Sequence, residues 1–77
     1  MGNLRKALGR TVRRLREEGG FSQESFADAI GVHRTYMGEI ERGETNLSLD
    51  VLERLARALQ LSVAEMFSVA ESERHKH

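Results

Sequence analysis

The sequence predicts an all-α fold, and three observations carry that prediction. Its 77 residues include no proline, and its aromatics are one tyrosine and three phenylalanines. Leu, Ala, Arg and Glu recur at spacings of three and four, the repeat of an amphipathic helix. Short polar or glycine-bearing segments with helix start and stop chemistry divide these stretches into five.

The first helix is expected over 4–18, with Asn3 as N-cap and Leu4, Leu8, Val12 and Leu15 as one apolar stripe. Gly19 and Gly20 stop it, because glycine takes the left-handed backbone that a helix C-terminus favours. Ser22 caps a second helix over 23–30, with Glu24 in the first turn, where the macrodipole favours an acid. Gly31 ends it. A third helix spans about 33–42 and stops at Gly43, and 43–48 is a polar loop. Ser48 caps a fourth helix running through Leu59, with Leu49, Leu52, Leu55, Ala56 and Leu59 inward. Ser62 and Glu65 have the S-x-x-E spacing of a capping box and open a fifth helix to about Val69. From residue 70 the tail lacks apolar periodicity and is expected to be frayed. Connections this tight leave room for one domain over 1–77.

A chain of this length builds a core at the margin of what folds without staples. With no cysteine, disulfides and thiolate–zinc frameworks are excluded, which fits a reducing compartment. No apolar run approaches the roughly 20 residues of a membrane span and no secretory signal precedes the first charges, so a cytoplasmic protein is expected. The formal net charge is zero, against the basic surface usual for nucleic-acid binders. Its distribution says more: residues 1–16 hold Arg5, Lys6, Arg10, Arg13, Arg14 and Arg16 and no acid. An anion site here must be local, built from a few side chains and helix N-termini. The basic face of the first helix also has a reading as a membrane-surface helix, but its stripe is short and lacks aromatic anchors, so packing on the core is preferred.

Residues 23–42 form the informative unit. Phe26, Ile30, Val32, Met37 and Ile40 turn two short helices toward one core. Ala27 and Gly31, four apart, allow a close crossing and a sharp turn. Such a crossing leaves the outer face of the second of the two helices protruding, and a protruding helix is the shape the DNA major groove admits. The stretch FSQESFADAIGVHRTYMGEIERGETNLSLDVLERLARAL resembles the Cro and phage-repressor-like helix-turn-helix family, through its SQE opening, small-residue turn, IERG end and NLS loop. Within that family HRTYMGEIERG is similar to the small controller proteins of restriction-modification systems. The resemblance implies a lambda-repressor-like five-helix DNA-binding domain that works as a dimer. It also implies an ion pair between Arg16 and Glu41, joining the first helix to the third.

By the same resemblance Arg34 and Thr35 face base edges. Arginine donates two bonds to guanine O6 and N7, and threonine offers a hydroxyl and a methyl. Glu39, one turn on, has three readings: accepting from a cytosine amino group, orienting Arg34, or repelling phosphate. Gly38 costs about 1 kcal/mol relative to alanine, which has three readings: close approach of DNA, close approach of a neighbouring side chain, or mere drift. Ser22 and Gln23 sit at a helix N-terminus, and in the family the Gln23 position bonds phosphate. Arg42, Thr45, Asn46 and Ser48 are further backbone candidates, with turn formation as the plainer role for Asn46. Tyr36 rests on sugar and phosphate or packs on the domain surface. His33 is first a helix cap and second a backbone contact. His75 and His77 lack the partners a zinc site needs.

The expected function is sequence-specific transcription regulation of a (pseudo)palindromic operator in double-stranded DNA, by a homodimer that acts on its own gene. One unit buries too little surface to select a genomic site, and two half-sites about 10 base pairs apart supply the rest. Leu61, Val63, Met66, Phe67 and Val69 exceed what one small core needs and are the expected dimer surface. The rival is an antitoxin-like protein-interaction module on the same fold. No nucleophile, base and orienter are arranged here, so no catalytic residue, cofactor, metal or small-molecule substrate is expected.

Overall fold

A computed structural model describes residues 3–74. Its helices are α1 (Leu4–Glu18), α2 (Gln23–Ile30), α3 (Arg34–Arg42), α4 (Leu49–Ala58) and α5 (Val63–Arg74). Local chemistry sets most of their ends. The side chains of Asn3, Ser22, His33 and Ser48 each accept a backbone N–H in the first turn of the helix they precede. Ser62 and Glu65 close the expected capping box, at 2.9 and 2.8 Å.

α1 packs across α3 and α5, and α2 packs on α3 and α4. Between them lies a core that includes Val12, Phe26, Met37, Leu55 and Met66, all with no or almost no exposed surface. Each such side chain contributes roughly 1.5–3 kcal/mol relative to remaining in water. Phe21 meets Phe26 edge to face at 5.1 Å. α1 approaches the end of α3 unusually closely at Gly9, where a Cβ would stand 2.5 Å from the carbonyl oxygens of Ile40 and Glu41. That close fit presses α1 onto α3 and brings Arg16 within reach of Glu41.

Several sequence expectations need correction. Leu49 is not inward but 77% exposed. It shares a helical face with Leu52, but as the first residue of α4 its side chain leans back toward the N-terminus, past the buried layer formed by Leu52, Leu55 and Ala56. α4 ends at Ala58, with Leu59 as its cap and the left-handed turn at Gln60, φ 61°. At the end of α1 only Gly20 is left-handed, φ 84°, while Gly19 stays right-handed at −81°. The tail expected to fray from residue 70 is helical through Arg74. Ala70 is fully buried, and Arg14 pairs with Glu73 at 3.4 Å. A small buried residue gives little apolar signal in sequence, so this last stretch reads as polar. The rest of that tail, 75–77, lies outside the described residues. No helix among the described residues is long and apolar enough to cross a membrane.

Candidate nucleic-acid interface

The α2–α3 unit is built around Ala27, 1% exposed, and Gly31, φ 75°. The Gly31 N–H bonds to the Asp28 carbonyl and the Val32 N–H to that of Ala27, the paired bonds of a left-handed helix end. A residue with a Cβ would strain this turn. Met37 and Ile40 then face inward, and the first turn of α3 faces out. Arg34 and Thr35 are exposed there, Glu39 is half-buried, and His33 is exposed at the cap with its Nδ1 accepting the Thr35 N–H at 3.1 Å. Tyr36 is half-buried and packs partly against the core.

A buried polar cluster locks this unit to α1. The Arg16 guanidinium makes a double bond-pair to the Glu41 carboxylate, Nε to Oε2 at 2.6 Å and Nη2 to Oε1 at 3.1 Å. Its Nη1 donates to the Phe21 carbonyl at 2.9 Å. The hydrogen bond to Glu41 raises the Arg16 pKa further, against the opposing effect of burial. The Gln23 amide also donates to Glu41 Oε1, at 3.1 Å. Removing either Arg16 or Glu41 leaves the other as an uncompensated buried charge, at a cost of about 3–5 kcal/mol. The Arg16–Glu41 pair implied by the resemblance is therefore present, and Gln23 joins it. Ser22 is engaged in capping, its Oγ accepting the Ser25 N–H at 3.0 Å. The N–H groups of Gln23 and Glu24 have no partner within the helix.

The loop after α3 lies beside the start of α1. Asn46 Oδ1 accepts from Arg5 Nη1 at 3.0 Å, Thr45 donates to the Asn46 carbonyl at 3.3 Å, and Ser48 caps α4 through the Val51 N–H at 3.1 Å. Arg42 is exposed, with its Nε donating to Glu44 at 2.9 Å. Two residues that the sequence reading named without placing them among the contact candidates stand beside these groups. Arg5 adds a cation next to Asn46, and Glu24 stands 3.6 Å from Arg34. Neither has a signal in linear spacing, because each pairing is made between different elements.

At α5 and its approach, Leu61, Val63, Phe67 and Val69 are half-buried, and Phe67 lines a groove shared with Arg5 and Asn46. Met66 corrects the expected dimer surface: it is fully enclosed in the protomer core and has no surface to offer a second copy. Among the described residues no group of three or more His, Cys, Asp or Glu is placed to hold a metal ion. His75 and His77 lie outside the described residues.

Two short helices crossing at a small-residue turn, with the second helix presenting its first turn outward, define a helix-turn-helix protein. The chain belongs to that family: residues 7–67 match the helix-turn-helix domain. Within the family it is similar to control proteins. It is 39% identical over 66 residues to control protein C.SmaI of Serratia marcescens, covering 86% of this chain and 79% of that one. It is 39% identical over 74 residues to control protein C.MunI of Mycoplasma sp, covering 95% of this chain and all of that one. Among solved structures, the restriction-modification controller protein C.Esp1396I superposes with a TM-score of 0.85 at 30% identity, over 100% of this chain and 99% of that one. C.Esp1396I is also solved as a nucleoprotein complex, with a TM-score of 0.84 to this chain.

Proposed function

We propose that this protein is a sequence-specific DNA-binding transcription regulator of the controller type, acting as a homodimer on a twofold-symmetric operator that includes its own promoter. The observation that supports it most directly is the outward first turn of α3. Arg34 and Thr35 are exposed there, on a helix tied to α1 and α2 through Glu41. A rigid helix carrying a guanidinium at its leading turn suits guanine in the major groove. In this reading Arg34, Thr35 and Glu39 read bases. Ser22, Gln23, His33, Tyr36, Arg42, Thr45, Asn46 and Ser48 hold the sugar–phosphate backbone and set the register.

The second copy docks through the half-exposed apolar residues of α5 and its approach, Leu61, Val63, Phe67 and Val69, on a twofold axis that places two α3 helices one duplex turn apart. Residues 3–74 act as one domain, in the cytoplasm with the chromosome. The work is binding rather than catalysis, in keeping with the regulators to which the chain is similar. The deciding experiment is a footprint on the DNA just upstream of the coding frame. Protection of an inverted repeat supports the reading, and the absence of any protected repeat there removes the autoregulatory part.

A protein-interaction role on the same fold draws on a different observation. Leu49 stands 77% exposed, and two residues before it Leu47 lines a groove of about 390 Å³ together with Leu4, Arg5, Leu8, Asn46, Leu52 and Phe67. A stable complex with a different polypeptide, together with weak duplex affinity in moderate salt, favours that role.

A further inference from the structure

α3 carries a glycine at its centre, where alanine would be more stable by about 1 kcal/mol. Its φ is unremarkable, so a turn does not explain it. The space does. A Cβ built on Gly38 would stand 3.0 Å from Arg42 Nη1 and 3.7 Å from its Cζ and Nη2. Helical side chains lean toward the N-terminus, which carries residue 42 back over the turn that contains residue 38. The guanidinium thus lies along α3 on top of the glycine. Its Nε is held by Glu44 at 2.9 Å. Gly38 is buried as a result, while Arg42 stays exposed.

Arg34, Gly38 and Arg42 are spaced i, i+4 and i+8, one stripe of the helix. We propose that Gly38 is a positioning residue: its missing side chain is a seat that holds the Arg42 guanidinium flat against α3, in line with Arg34, so that both cations meet the same stretch of duplex. This rests on the DNA-binding reading above and names how that site is set. A long arginine side chain held in place before binding loses less freedom when it meets a phosphate. Glu44 supplies the temporary partner, and phosphate takes its place in the complex. The other account of Gly38, direct approach of DNA to the helix backbone, meets an obstacle in the free protein. The first atoms that a Cβ at this position encounters belong to Arg42.

The test is a cycle of Gly38→Ala, Arg42→Ala and the double variant, read by thermal melting without DNA and by binding to a duplex selected from a random pool with the wild-type protein. Alanine at position 38 should raise Tm by about 4–8 °C, as a better helix former. It should also weaken duplex binding by about three- to tenfold. Arg42→Ala should lower the salt slope of log K by about one per half-site, and adding Gly38→Ala to it should cost no further affinity. Wild-type affinity in Gly38→Ala overturns the seat. So does an equal loss on adding Gly38→Ala to Arg42→Ala, which assigns the glycine to direct approach of DNA. A wild-type protein that retains no duplex from the pool overturns the DNA-binding reading, and the seat with it.

Discussion

Arg34 enters any encounter with DNA already paired, its guanidinium 3.6 Å from the Glu24 carboxylate. Both groups are well exposed, and a pair of that kind is worth only about 0–1 kcal/mol, so guanine displaces Glu24 at little cost. Arg34→Ala should therefore lose about 1–3 kcal/mol of discrimination at one base pair per half-site, read by binding to singly substituted duplexes. Gln23→Ala also removes the amide donated to Glu41, and it should weaken all duplexes alike, because neither a phosphate partner nor the anchoring of α3 carries sequence. Equal losses on every duplex for both variants would dissolve the division into readers and holders. Elsewhere, the Thr11 hydroxyl is enclosed and has no hydrogen-bond partner. Thr11→Val keeps the shape and removes a buried polar group, so chemical denaturation should show a gain of about 1 kcal/mol. A loss instead would mean that the hydroxyl has a partner in solution.

Helix ends decide the outline of this protein, and four of them close with the same pair of backbone bonds. The turns at Gly20, Gly31 and Gly43 use glycine at positive φ, and the turn after α4 uses Gln60 at φ 61°. A left-handed residue with a side chain costs about 1 kcal/mol or more. Gln60→Gly should recover roughly 0.5–1 kcal/mol, visible as a higher midpoint in urea with an unchanged slope. No gain would mean that the glutamine side chain stabilises this turn by other means. At the same scale, α5 is longer than its sequence advertises. Its continuation to Arg74 is accompanied by burial of Ala70 in the shared core and by Arg14 of α1 pairing with Glu73, contacts that involve other elements.

At the scale of the whole molecule, the proposed dimer separates protomer core from interface. Met66 is spent inside the protomer, and Phe67 packs partly against the core, so changing either also disturbs folding. Val69 is the cleaner probe: half-buried, and not among the residues that pack against the core. Val69→Asp should shift the protein toward monomer in sedimentation velocity while leaving its helical circular dichroism unchanged. Operator affinity should fall with it, because half-site binding loses its partner. An unchanged mass would move the interface away from α5.

What the sequence determined by itself is local. The caps at Asn3, Ser22, His33, Ser48 and Ser62, and the stops at Gly20, Gly31 and Gly43, act over three to five residues, so their chemistry is readable in the order of residues. The outward position of Arg34 and Thr35 follows from the same logic, once the apolar face of α3 is known. The tertiary structure decided which groups meet across elements. It sent Leu49 outward and Met66 inward, gave Gln23 to Glu41, brought Arg5 to Asn46, and laid Arg42 over Gly38. Helical periodicity says which face a side chain occupies; only the lengths and crossings of the neighbouring helices say what, if anything, covers it.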